Sequence, residues 1–236
     1  MGELHIASAL DRALESIQAL GMRMGGMGEA ALLDAAQALD TGDTDLAEKV
    51  RAGDKAIDAL EEKINEEAAR LIALRAPAAS DLRVVLSVMK IAASLERVGD
   101  YAKNIAKRAN VLGGLAQISG AGGSVRRMAR AVETMLRDAL DAYNGRRLDL
   151  AEDVRRRDQE IDQMYNALFR EFLTHMMEDP RNITACMHLH FIAKNVERMG
   201  DHATTIAEQV IYLVTGVMPD ENRPKAESVI AVTPGE

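Results

Sequence analysis

Two short stretches place acid side chains where they could grip a cation. Val196-Glu197-Arg198-Met199-Gly200-Asp201-His202-Ala203 sets Glu197 and Asp201 four residues apart, and Leu95-Glu96-Arg97-Val98-Gly99-Asp100-Tyr101-Ala102 repeats the pattern with Glu96 and Asp100. On an α-helix residues i and i+4 share a face, so each pair makes a pincer of carboxylate oxygens about one turn long. Each stretch also holds a glycine in mid-helix, at a cost of roughly 1 kcal/mol relative to alanine. Made twice, that choice implies a close backbone approach or a functional need. Asp54 with Asp58, and Asp158 with Asp162, form a second set of pincers with the same spacing.

The acids belong to helices that fold back on each other. The point midway between the Asp54/Asp58 and Glu96/Asp100 pincers falls at Pro77, and in the second half it falls beside Pro180. Both arms of an antiparallel hairpin rise about 1.5 Å per residue, so each half brings four carboxylates to one height. At 100° per residue, Glu96 and Asp100 lie roughly 150° from the centre of their helix's apolar stripe, and Asp54 and Asp58 roughly 90° from theirs. These angles place all the acids outside the core. That argues against a buried di-iron bundle, whose ligands point inward and include Glu-x-x-His. It suits an open site for a hard cation such as Mg²⁺, Ca²⁺, Mn²⁺ or iron. The competing reading is a plain solvated acidic face.

The positioning elements are helices throughout. Aromatic residues make up 3% of the 236-residue chain and tryptophan is absent, a composition that favours helix over strand. The third helix, capped by Ser80 or Asp81, runs to about Leu112 with an unbroken stripe: Val84, Val88, Ile91, Leu95, Val98, Ala102, Ile105, Ala109, Leu112. Moving 101 positions on gives the sixth helix's stripe, Ala185 to Leu213, with all nine positions again apolar. The remaining helices are expected over about 4–39, with a kink or tight packing at Gly21, Gly25, Gly26 and Gly28, and over 44–75, 124–144 and 149–178; the sixth spans 183–215. Gly113-Gly114 through Gly120-Ala121-Gly122-Gly123 reads as a linker, since no Gly-Lys-Ser/Thr follows to make a phosphate loop. The fold class is therefore all-α: two tandem repeated three-helix bundles, 1–115 and 122–216, and a flexible tail over 217–236.

The bulk charge narrows the partners. A net charge of −8 argues against broad nucleic-acid binding and against simple adhesion to an anionic membrane. Cys186, the single cysteine, allows no intrachain disulfide and reads as a small core residue. The first residues lack a basic and then apolar leader, and no long uncharged run could span a bilayer, so a cytoplasmic protein is expected. His188 and His190 fall on different faces and cannot chelate together. His202 is a candidate for the site or for a structural contact. Arg97 and Arg198 read by default as intrahelical salt-bridge partners. Met22, Met24 and Met27 read as core fillers.

The stretch from Leu95 to Ala106, and still more Phe191-Ile-Ala-Lys-Asn-Val-Glu-Arg-Met-Gly-Asp-His-Ala-Thr-Thr-Ile-Ala-Glu208 followed by Tyr212-Leu-Val-Thr-Gly216, resembles the signature of the PhoU family of bacterial phosphate-transport accessory proteins. The resemblance covers nearly the whole chain. It implies tandem three-helix bundles and a non-enzymatic negative regulator of the phosphate-starvation response that also modulates phosphate uptake. The partners it implies are the ATPase of the phosphate ABC transporter and a sensor histidine kinase, with membrane contact only through them and a homodimer as the expected assembly. It also implies a bound metal (Mg, Mn, Fe or Zn) on Asp54, Asp58, Glu96, Asp100, Asp158, Asp162, Glu197 and Asp201. Tyr101, where the second copy has His202, departs from the repeat, so the first site is expected to bind differently. The alternative is a metal-dependent hydrolase or metal store built on the same carboxylates, although no positioned nucleophile accompanies them.

Overall fold

The computed structural model describes residues 2–115 and 118–220, with side chains from Ala9 onward. Its helices are α1 (Gly2–Thr41), α2 (Thr44–Arg75), α3 (Ala79–Leu112), α4 (Ala121–Gly145), α5 (Leu148–Glu178) and α6 (Ile183–Thr215), with a 3₁₀ turn η1 (Pro180–Asn182) before α6. No strand occurs among the described residues. Most of the segment expected to be a tail, 221–236, lies outside the described residues.

Apolar periodicity explains how the helices group. α3 packs against α1 and α2, and α6 packs against α4 and α5, so each half is a three-helix bundle. The halves then meet along two seams, α1 against α4 and α3 against α6, while α2 and α5 touch only helices of their own half. α3 and α6 are consequently covered on several sides. Their repeated stripes are buried from Val88 to Ala109 and from Ala185 to Val210. The covering neighbours also bury a second set of mostly small residues: Ala92, Ser94, Gly99 and Ala106 on α3, and Cys186, Ala193, Gly200 and Ala207 on α6. Cys186 is fully buried, and burial pushes its thiol above its ordinary pKa, as befits a core residue.

A local signal sets the start of α2. Asp43 caps α2 by accepting a hydrogen bond from the Leu46 amide at 2.9 Å. After Pro77, α3 begins at Ala79 with Ala78 in the cap position and no side-chain cap, so neither Ser80 nor Asp81 has the expected role. The corner geometry of Ala76 and Pro77 starts the helix before either side chain is in place to cap it. α4 begins within the glycine stretch read as linker. A Cβ on Gly122 would lie 3.1 Å from the Asp40 backbone, so glycine lets the start of α4 close onto the end of α1. The glycines of α1 leave it continuous; a side chain on Gly25 would overlap Leu140 of α4, at the seam, whereas Gly26 has nothing within 4 Å.

The mid-helix glycines of the acidic stretches differ in how much they matter. A Cβ on Gly99 would lie 2.9 Å from Ile57 Cδ1 and 3.3 Å from its Cγ2, whereas on Gly200 the nearest atom, Ile161 Cγ2, would be 3.4 Å away. Gly99→Ala should therefore destabilise the protein by about 1–3 kcal/mol through overpacking. Gly200→Ala should be neutral or stabilising, with a helix-propensity gain of up to about 1 kcal/mol. Thermal or urea melts of both variants check this, and equal losses at the two positions would contradict it.

Candidate functional site

The α2–α3 hairpin brings its two pincers together. The Lys103 ammonium, one turn beyond Asp100 on α3, pairs with the Asp54 carboxylate of α2 and stands 2.7 Å from Asp100 Oδ1. A single cation thus touches both helices at the shared height that the hairpin midpoint implies. The hydrogen bonds it donates to Asp100 and Asp54 hold the Lys103 ammonium well above its ordinary pKa. Arg97 adds the intrahelical bridge expected of it, with Nε 3.4 Å from Glu96 and NH1 3.5 Å from Asp100.

The acids sit at unequal depths. Asp54 and Asp158 are only 5% and 6% exposed, contrary to the expectation that every acid lies outside the core. The flank of Asp54, roughly 90° from the stripe of α2, is the flank that α3 covers, and α3 carries a glycine opposite it. A Cβ on Gly99 would lie 3.4 Å from Asp54 Oδ1. The partners are shallower: Asp58 is exposed, while Glu96, Asp100, Asp162 and Asp201 are half-buried. Desolvation, followed by the nearby Asp54 carboxylate, raises the pKa of Asp58. Desolvation also raises Glu96, with Asp100 and Glu61 adding to the rise and Arg97 opposing it.

In the second half, the Glu197 side chain is 12% exposed, and Lys194 Nζ stands 2.7 Å from its Oε1. Burial pushes the Glu197 carboxyl up; Asp201 and Asp162 add to this and Lys194 opposes it. Asp162 belongs to α5, so the charge that acts on Glu197 reaches it from the hairpin partner as well as from its own helix. One oxygen in each half, Asp54 Oδ1 and Glu197 Oε2, is buried without a hydrogen-bond partner. Even so, no three acid, histidine or cysteine side chains converge as a ligand group among the described residues.

The cations break the repeat. The position 101 residues after Lys103 is Thr204, buried, with its hydroxyl donating to the Gly200 carbonyl at 3.2 Å. The position 101 residues before Lys194 is Ala93. Lysine therefore reaches the acids from the C-terminal side of the motif in one half and from the N-terminal side in the other. The sequence reading passed over both, although Asp100–Lys103 and Lys194–Glu197 each show the i, i+3 spacing of a helical pair.

The other departure from the repeat proves to be a seam contact. The Tyr101 and His202 rings lie 5.8 Å apart where α3 crosses α6, and the Arg198 guanidinium sits 6.0 Å from the Tyr101 ring centre. Arg198 thus reaches into the opposite half, unlike its counterpart Arg97. His188 contacts Arg108 at 3.3 Å, whereas His190 packs among Tyr165, Phe169 and Phe191, so the two do not act together. Two cavities, of about 470 and 230 Å³, open elsewhere, and none of the eight candidate acids lines either.

The described helices can be set beside known proteins. A family model described as the PhoU domain matches residues 22–109 and again 125–210. A phosphate-specific transport system accessory protein PhoU homolog of Rhizobium meliloti is 46% identical over 232 residues, covering 95% of each chain. The protein of the same name in Caulobacter vibrioides is 46% identical over 223 residues, covering 94% of this chain and 97% of its own. The crystal structure of PhoU from Pseudomonas aeruginosa superposes with a TM-score of 0.84 at 40% identity, covering 88% of this chain and 99% of that one. The phosphate transport system regulatory protein PhoU from Streptococcus pneumoniae gives a TM-score of 0.80 at 30% identity, over 89% of this chain and 99% of its own.

The raised Glu197 carboxyl has a measurable consequence. Above its ordinary value of 4.5 this group binds a proton more readily in the folded than in the unfolded chain. Its contribution to stability is therefore fully present below about 4.5 and lost as the pH rises through the folded value. In metal-free protein, Glu197→Gln should flatten the fall in melting temperature just above that pH. Superimposable pH profiles for variant and wild type would show that the carboxyl is not perturbed.

Proposed function

This chain belongs to the PhoU family, and from that premise we propose that it is an accessory regulator of phosphate-specific transport. In this reading it represses the phosphate-starvation response as a cytoplasmic, non-enzymatic adaptor between the transporter ATPase and a sensor histidine kinase, working as a homodimer. The observation that carries the reading is full-length similarity to proteins named for this role: 46% identity over 95% of both chains, with both domain copies present. The absence of any described helix long and apolar enough to cross a membrane fits a protein that meets the bilayer through partners.

The second part of the proposal is that the acidic faces take a hard cation. The donors fit such an ion chemically, being carboxylate oxygens throughout, and Asp54 Oδ1 and Glu197 Oε2 are buried with no hydrogen-bond partner. Asp54, Asp58, Glu96 and Asp100 would hold it in the first half, and Asp158, Asp162, Glu197 and Asp201 in the second. A bound cation there would neutralise crowded carboxylates whose mutual repulsion, for a pair 4 Å apart near a protein surface, is on the order of 4 kcal/mol.

Two measurements test the proposal. Deleting the gene should leave phosphate-starvation reporters active in phosphate-rich medium; reporters that stay repressed would sink the regulatory role. Adding Mg²⁺, Mn²⁺ or Fe³⁺ to chelator-treated protein should raise its melting temperature, by about 2.7 kcal/mol of added stability at a hundredfold excess over the dissociation constant. The double variant Glu197→Gln with Asp201→Asn should lose the share of that gain due to the second half. Curves unmoved by metal or chelator would leave the acidic faces as solvated surfaces.

A further inference from the structure

The first half already holds a cation, and it belongs to the chain. The Lys103 ammonium pairs with Asp54 of α2 and with Asp100 of α3, the two acids that approach each other across the hairpin. Asp54 is 5% exposed, so this pairing neutralises a buried carboxylate that would otherwise pay a large desolvation cost. We propose that Lys103 is the resident cation of the first acidic site: it occupies the place a metal ion would take between Asp54 and Asp100, and it must swing out before one can load. This inference rests on the reading of the acidic faces as cation sites.

One physical argument and two observations support it beyond the contact itself. First, an ammonium and a dication cannot share the gap between the same two carboxylates, because their repulsion at such a distance is twice that of two unit charges. Second, the Lys103 side chain is 35% exposed on a flexible four-carbon stem, so an exit to solvent exists. Third, the corresponding position in the second half is Thr204, a neutral side chain bound to its own helix at Gly200. The lysine of that half, Lys194, instead stands 2.7 Å from Glu197 on the N-terminal side of the motif. The first site would then fill only once the ion outcompetes the tethered Lys103.

The test uses the full chain with its second site disabled by Glu197→Gln and Asp201→Asn. Mn²⁺ binding to that parent is measured by equilibrium dialysis and calorimetry, with circular dichroism to confirm helicity. Adding Lys103→Thr, which copies the second half, should tighten Mn²⁺ binding by roughly tenfold or more. Lys103→Arg should keep the block, and adding Asp54→Asn to Lys103→Thr should abolish the gain. Should Lys103→Thr misfold, Lys103→Gln serves in its place. An independent readout needs no variant: in wild-type protein, Mn²⁺ should increase the rate at which an amine-acylating reagent modifies Lys103, as followed by peptide mass spectrometry. A parent that binds Mn²⁺ as tightly as its Lys103→Thr derivative, or a Lys103 whose reactivity ignores bound Mn²⁺, overturns the role of Lys103 while leaving the cation sites standing. Failure of every variant and of wild type to take up Mn²⁺ overturns the cation-site reading and this inference together.

Discussion

The structure depends on the enclosure of α3 and α6. Each is pressed by two helices of its own half and by the other across the seam, leaving a narrow strip for anything charged. Their buried residues are consequently small or apolar over nearly the whole length. The acidic pincers occupy the edge of that strip, beside α2 in one half and α5 in the other. A carboxylate there is desolvated on one side and wet on the other, which is why Glu96 and Glu197 both titrate above their ordinary range. The same enclosure buries Asp54 and Asp158, which reach the strip from the outer helices.

Much of this was legible as periodicity. The nine-position stripe, repeated 101 residues on, encodes two long helices with matching buried faces, and both exist as read. Prolines at 77 and 180 mark both corners, and the shared height of the pincers follows from them by counting. Depth was not legible. A helical wheel gives an angle, but whether a flank at 90° is wet depends on how close the neighbouring helix comes. That closeness is set by Gly99 opposite Ile57 and Asp54. The wheel alone could not know that the glycine brings α2 near enough to cover its own acid. The start of α4 was misjudged for a related reason: its glycines have little intrinsic helix preference and are held helical by packing against Asp40.

Duplication explains why the two acidic sites share geometry and differ in charge. The acids and glycines recur at fixed offsets because helix rise and corner position dictate where they meet. The cations obey no such constraint, since a lysine stem can reach the acids from either direction along the helix. Lys103 and Lys194 take opposite approaches, and Arg97 stays with its own pincer while Arg198 leans over Tyr101 of the other half. The fold thus fixes the anionic framework and leaves its neutralisation free to diverge.

The seam places the two sites within one residue of each other's boundary. Asp100 and Tyr101 are consecutive on α3, as are Asp201 and His202 on α6, and successive helical side chains diverge by about 100°. One residue can therefore face the hairpin partner while its neighbour faces the opposite half. Tyr101 and His202, the substitution that breaks the repeat, are the residues that meet there. A position of this kind cannot be optimised for its own half alone. Tyr101 and His202 hold equivalent positions in the two copies, 101 residues apart, and meet each other across the seam. The tyrosine and histidine rings lie with centroids 5.8 Å apart and planes tilted by 36°. The nearness of this contact to the acids follows from helical geometry, since each ring is the immediate chain neighbour of an acid.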